Sequence, residues 1–400
     1  VESSGVHPRE SLAIRCGRLY DGTAAPPQTN VTIRISGGRI AAITPNNGVP
    51  VDAARTLEAA AVTPGLINAH VHLEFAGEAD TGVTILRTPI QRTLVAVESA
   101  RKALLAGVTT VRDLGGAESN AIELRDAIAK GTHVGPTILA AGRALCMTGG
   151  HGHFIGREAD GPWDARKAVR EQRKAGADCI KLIATGGVLT KGAVPGIDQL
   201  TEEEMSAAIT EAATHRMRVA AHAIGTSGIK NALRAGVTSI EHGHLLDEEA
   251  IALFLERRAY LVPTLAAVTC IYEHATDGTQ PDFVVRKATE LYEAARRNIA
   301  HAWKSGVTIA GGSDAGTPYN YHDKFAYEVE LMHTAIGMTP GQALSAATKI
   351  SGELLGVEAG VLAAGRPADV LLLDGDLERD TLALRAPRSV IKGGVVVTAS

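Results

Sequence analysis

The chain has 400 residues, a formal charge of −4, 45% hydrophobic residues and 21% charged residues. Charge this close to neutral argues against a polyanion partner such as nucleic acid, and no apolar run approaches the roughly 20 residues that cross a membrane. The length fits one barrel of about 250 residues or more plus a smaller module, and with aromatics at 4% the packing falls to Ala, Val, Leu and Ile.

The sequence starts at Val1, which leaves two compartments open: the cytoplasm, or the periplasm or medium if a signal peptide was removed. Residues 31–40 alternate apolar and polar side chains around Gly37-Gly38, a hairpin signal. From Pro64 onward, short apolar runs alternate with longer Ala-, Glu- and Arg-rich stretches of helical pattern. The runs read as strands are 65–72, 108–114, 137–142, 179–183, 219–222, 239–242, 260–263 and 308–314. Thr201 with Glu204 three residues on marks a helix start, and Gly236 and Gly306 mark helix stops. After residue 356 comes the apolar run 369–373 and a second Gly-Gly hairpin at Gly393-Gly394. Eight strand-helix units predict an α/β fold, a (β/α)₈ TIM barrel over 64–356. The hairpins at both ends predict one small β-sandwich domain assembled from 1–63 and 357–400. Cys16, Cys146, Cys179 and Cys270 show no C-x-x-C pair and read as buried thiols.

The chemistry lies where polar residues interrupt these strands. Strand one ends in His70-Val71-His72, strand four carries Lys181, strand five His222, strand six His242 and strand eight Asp314. Barrel active sites form at the carboxyl-terminal mouth, so these six side chains converge there. Residues two apart on a strand share a face, so His70 and His72 both point inward, and neutral imidazoles suit divalent metals. Lys181 sits in an otherwise apolar run. It either snorkels out or loses its proton, and a free buried amine can add carbon dioxide to become a carbamate, a carboxylate-like metal ligand. Asp314, among glycines, reads either as a turn residue or as a metal-binding carboxylate that shuttles a proton. His151 and His153, in a Gly-rich segment after strand three, and His244, two residues past His242, are candidates for polarising a scissile carbonyl. For each, an ordinary loop histidine stays open, as it does for Lys191, Tyr319 and Tyr321 as substrate contacts.

The run Pro64-Gly65-Leu66-Ile67-Asn68-Ala69 before His70-x-His72, followed in order by Lys181, His222, His242 and Asp314, resembles the amidohydrolase superfamily. The segments 70–74, 148–153 and 241–244 resemble its prolidase-like branch, which contains metallo-carboxypeptidases acting on Xaa-Pro, Xaa-Arg or Xaa-Lys dipeptides and enzymes that cleave the amide of ochratoxin. The resemblance implies two divalent metal ions, zinc in the first place. His70, His72 and Asp314 would bind one, His222 and His242 the other, and N6-carboxylated Lys181 would bridge them. It implies Asp314 as proton shuttle, a small-molecule or dipeptide substrate that gives up its C-terminal amino acid, and a homo-oligomer, an octamer among the candidates. The competing expectation is a mononuclear deaminase or cyclic amidase of the imidazolonepropionase kind. The Lys181 position and the Ala223-Ile224-Gly225 run after His222 count against it.

Overall fold

The computed structural model describes residues 11–48 and 52–399; Val1, on which the expectation of a removed segment rests, lies outside them. Four strands come first: β1 (Leu12–Leu19), β2 (Gln28–Ser36), β3 (Arg39–Pro45) and β4 (Arg55–Pro64). The central region holds β5 (Leu66–Val71), β6 (Val108–Asp113), β7 (Thr137–Ala140), β8 (Leu145–Cys146), β9 (Arg157–Glu158), β10 (Cys179–Ile183), β11 (Arg218–Ala223), β12 (Ser239–His242), β13 (Tyr260–Val262) and β14 (Thr308–Ile309). The last three are β15 (Val370–Leu373), β16 (Ser389–Lys392) and β17 (Val395–Ala399).

Both ends of the chain build a single seven-stranded sheet of order β17-β16-β15-β4-β1-β2-β3. The join is β15 antiparallel to β4, with Val370 opposite Pro64. Both Gly-Gly turns have positive φ at each glycine (58° and 80° at Gly37-Gly38, 54° and 79° at Gly393-Gly394), as tight hairpins require. The two hairpin tips meet: a Cβ on Gly394 would stand 2.9 Å from the Gly38 Cα. Ile35 and Ile40 from one end of the sheet and Val370 and Ile391 from the other share one apolar core.

All eight expected central strands form, and all are parallel. They lie in two sheets, β5-β6-β7 and β14-β13-β12-β11-β10-β8-β9. Backbone hydrogen bonds join these sheets at both seams. The Asp178 N–H donates to Ala140 O at 2.8 Å on one side; Ala69 N–H to Gly311 O and Asp314 N–H to His70 O, both 2.9 Å, close the other. Two strands are shorter than the sequence suggests. The third breaks at Gly142 (φ 69°) and resumes as β8, which pairs with β10. The eighth ends at Ile309, because Gly311 is packed on the Ala347 backbone and Asp314 turns left-handed at φ 60°.

The helices begin and stop where local chemistry says. Thr201 and Glu204 form a reciprocal capping box ahead of Glu202–Thr214. Thr226–Ala235 stops at left-handed Gly236, and Gly306 (φ 95°) follows the helix Asp282–Lys304. That long helix buries Val284, Ala288, Leu291, Ala295, Ile299 and Ala302, spaced by three or four. Among the described residues no helix is long and apolar enough to cross a membrane.

Candidate metal centre

His70 lies near the end of β5 and His72 just after it, Lys181 lies within β10, His222 within β11, His242 ends β12, and Asp314 follows β14. The strands bring all six to one place. Asp314 Oδ1 is 3.3 Å from both His70 Nε2 and His72 Nε2, and Lys181 Nζ is 3.4 Å from His70 Nε2. The His222 and His242 rings are 4.4 Å apart, and His242 is 5.3 Å from His70. Ligand atoms of His70, His72 and Asp314 all fall within 4.8 Å of one another. Three residues around the site, His242, Thr264 and Asp314, hold left-handed backbone (φ 72°, 49° and 60°). Side chains other than glycine adopt it at a cost of order 1–3 kcal/mol, which the surrounding packing must supply.

Each histidine's outer nitrogen is already committed, and that fixes the inner one. His70 Nδ1 meets Glu241 Oε2 at 2.9 Å, and His72 Nδ1 meets Gly115 O at 2.7 Å. Neither acceptor can donate, so both rings carry the proton on Nδ1 and present a bare Nε2. His242 Nδ1 lies 2.7 Å from Thr264 Oγ1, whose own proton goes to Pro263 O, so here too Nε2 is left bare. His222 uses Nε2 on Gly186 O, 3.4 Å away, and keeps Nδ1 free. Asp314 Oδ1, facing two of these lone pairs, is buried and makes no hydrogen bond. A carboxylate oxygen and several bare imidazole nitrogens left facing one another suit a divalent cation.

The electrostatics agree. Burial draws the Lys181 ammonium down to about 8, against the opposing pull of Glu241 and Asp314. Burial also lowers His70 to about 4 and takes His222 and His242 well below the ordinary imidazole value. The Asp314 carboxyl would be raised by burial, but His70, His72 and Lys181 hold it well below the usual range. Burial opposes charge on His72 as well, but Asp314 outweighs it and raises that imidazole above its ordinary value. The cluster is therefore three buried neutral imidazoles, an ionised aspartate beside His72, and a lysine able to shed its proton.

Beneath His70 lies a second buried group. Glu241 Oε1 receives Arg112 (2.9 Å) and Ser239 Oγ (2.6 Å), and Arg112 Nε also reaches Ala69 O at 2.7 Å. Arg112 and Glu241 are 2% and 0% exposed. Neither stands out in a search for metal ligands. The signal for them is the one that exposes Lys181: a charged residue inside an apolar strand, here repeated with opposite sign on two strands.

Above the ligands is a cavity lined by Phe75, Phe154, Ile155, Val188, Leu189, Ile224 and Ile271, together with His151 and His244. His151 packs 4.6 Å from the His222 ring, and burial lowers it to about 3. His244, lowered by burial to about 4, ties Nε2 to Pro263 O at 3.2 Å and leaves a buried, unpartnered Nδ1. Neutral His244 thus presents an acceptor to the cavity. His153 is exposed and bonded through Nδ1 to Gly150 O, because its segment is a coil of turns and does not alternate as a strand would. Lys191 is exposed, the Tyr319 ring stacks on His274, and the Tyr321 ring packs on Gly77; none lines the cavity.

The sequence pattern of the amidohydrolase family matches residues 61–398. The ochratoxinase of Aspergillus niger is 30% identical over 421 aligned positions, covering 94% of this chain and 85% of that one. Its crystal structure aligns at TM-score 0.87 and 28% identity over 98% and 96% of the two chains. A Xaa-Pro dipeptidase crystallised with methionine in its active site aligns at TM-score 0.89 and 32% identity, over 97% of this chain and 100% of that one. A prolidase in complex with N-methylphosphonate-L-proline aligns at TM-score 0.90 and 29% identity, over 98% and 100%.

Proposed function

The chain belongs to the amidohydrolase family, in its prolidase-like branch, and is a hydrolase of amide bonds; from that premise we propose a binuclear metal enzyme that releases a C-terminal amino acid from dipeptides, N-acyl amino acids or ochratoxin-like amides. The observation that carries the reading is the grouping of His70, His72 and Asp314 with Lys181, His222 and His242 close beside them, all from five strands, with Asp314 Oδ1 buried and unpartnered among them. In this reading the two parallel sheets are one closed (β/α)₈ barrel over 64–356, supported by the hydrogen bonds at both seams. Residues 1–63 and 357–400 supply the β-sandwich, supported by the meeting hairpin tips.

His70, His72 and Asp314 would hold one cation, His222 and His242 a second, with N6-carboxylated Lys181 between them; zinc fits this N/O donor set. When bound, such ions supply Lewis acidity and a water acidic enough to ionise near neutral pH. The chain's own residues do the rest. Neutral Lys181, in its dry strand, is able to form the carbamate by bonding Nζ to carbon dioxide and giving up a proton. Ionised Asp314 accepts the proton of the attacking water and returns it to the leaving amine. His151 donates to the scissile carbonyl, and His244, an acceptor in the same cavity, receives an N–H of the substrate.

The cavity wall also speaks to the substrate. Among the described residues no guanidinium or ammonium apart from Lys181 lines it, and most of its side chains are apolar. Aromatic and aliphatic groups fit this wall, and basic side chains do not. Homo-oligomerisation is part of the reading, supported by exposed Leu86, Ile90 and Leu94 on one short stretch.

The test is metal content per chain for the native protein and Lys181→Ala, with hydrolysis of a panel of N-acyl amino acids and dipeptides. We expect about two metals natively, and loss of both metal and activity in the variant, with partial rescue by short carboxylic acids. One metal retained in both proteins with activity intact would replace this reading by a mononuclear deaminase or cyclic amidase.

A further inference from the structure

The segment after β10 contributes Val188 and Leu189 to the cavity wall and reaches His151 through Thr190. The Thr190 hydroxyl, 4% exposed, accepts the Gly152 N–H at 3.1 Å and lies 2.8 Å from His151 Nδ1. Among the described residues its own proton has one acceptor in reach, that same Nδ1. A buried donor left unpaired is costly, so the hydroxyl donates and the ring proton must sit on Nε2. Nε2 stands over Gly187, where a Cβ would come within 2.4 Å of it, so glycine is what lets the ring lie there.

Thr190 is held in turn from a distant helix. Lys287, on Asp282–Lys304, donates to Thr190 O at 2.9 Å and to Gly187 O and Val188 O, both at 3.4 Å. It is 7% exposed, its Nζ lies 5.1 Å from the Phe283 ring centroid, and no carboxylate pairs with it among the described residues. A buried ammonium that spends three donors on one stretch of main chain fixes the path of that stretch.

We propose that Thr190 and Lys287 are positioning residues for amide hydrolysis: Thr190 sets His151 in the Nε2–H tautomer that can donate to the substrate carbonyl, and Lys287 holds Thr190 where it does so. The proposal rests on the amide-hydrolase reading above and adds to it how a neutral imidazole comes to be a donor.

Thr190→Val removes the hydroxyl proton at nearly constant shape, Thr190→Ser keeps it, and Lys287→Met removes the tether. The measurements are kcat and KM on an N-acyl amino acid cleaved by the native enzyme, metal content, and ring ¹⁵N shifts, with His151→Gln used to assign the His151 signals. We expect Thr190→Val and Lys287→Met to lower kcat by about 10–100-fold, somewhat below the effect of deleting a direct oxyanion donor. KM should stay within about threefold and metal content unchanged, and Thr190→Ser should recover most of the rate. Unchanged kcat in Thr190→Val, or a native His151 protonated on Nδ1, would overturn the proposal, and the second readout needs no variant to fold. A native protein inactive on the whole panel with His151 protonated on Nε2 would overturn the hydrolase reading while upholding the Thr190 assignment.

Discussion

Below His70 the polar groups sit on neighbouring strands and satisfy one another, whereas above it they ride on loops and are tethered from far along the chain. Arg112, Ser239 and Glu241 lie on β6 and β12, and Glu241 holds the His70 ring directly. His151 depends on Thr190, 39 residues on, which depends on Lys287, 97 residues further. The floor fixes the His70 ring firmly, because strand positions cannot shift without breaking the sheet. The rim, built on loops, is the adjustable part, and in the proposed function it is where substrates would be told apart.

The widest gap between floor and rim should appear with Arg112→Met. It strands the Glu241 carboxylate in a dry interior, and losing one partner of a buried ion pair costs about 3–5 kcal/mol. Urea unfolding should show that loss, and metal content should fall with it. The acid side sharpens the point. Burial would raise Glu241, yet Arg112 and His70 hold it below its ordinary value of 4.5. Its stabilising contribution is therefore complete above that value and is lost as pH falls below it. Without Arg112 the loss should begin at higher pH, seen as an upward shift of the acid-unfolding midpoint.

Rim substitutions should act on substrate choice and spare the fold. Phe154→Ala should raise KM for an aromatic N-acyl amino acid by about 10-fold or somewhat more, in the range one apolar contact supplies, with unfolding little changed. The smallest effect should come from His153→Ala, which changes an exposed side chain. A kcat/KM within about twofold of native is expected, and a tenfold loss would return His153 to the site.

The floor was largely legible in the sequence, for a reason the residues show. Lys181 and the strand-end histidines stand in conflict with the apolar runs that carry them, and such conflict is visible without coordinates. Arg112 and Glu241 show the same conflict; their pairing needed the strand order. The rim was legible only in part. His151 and His153 share one glycine-rich segment and similar neighbours, and only the turn geometry half-buries the first and exposes the second. Thr190 and Lys287 carry no local sign of their task, because it is defined by contacts across about 40 to 100 residues.

The pairing of β4 with β15 also has a consequence for how the protein is made. Val370 lies opposite Pro64, so the first four strands come off the ribosome with β4 as an open edge, and the rest of the chain up to β15 must follow before that edge is covered. At about 5–20 residues per second the wait is roughly 15–60 s. For that time an apolar strand edge is available to other nascent chains. Yield in a recombinant host should then depend on translation speed and chaperone supply, and linking the two termini in a circular permutant should shorten the exposure.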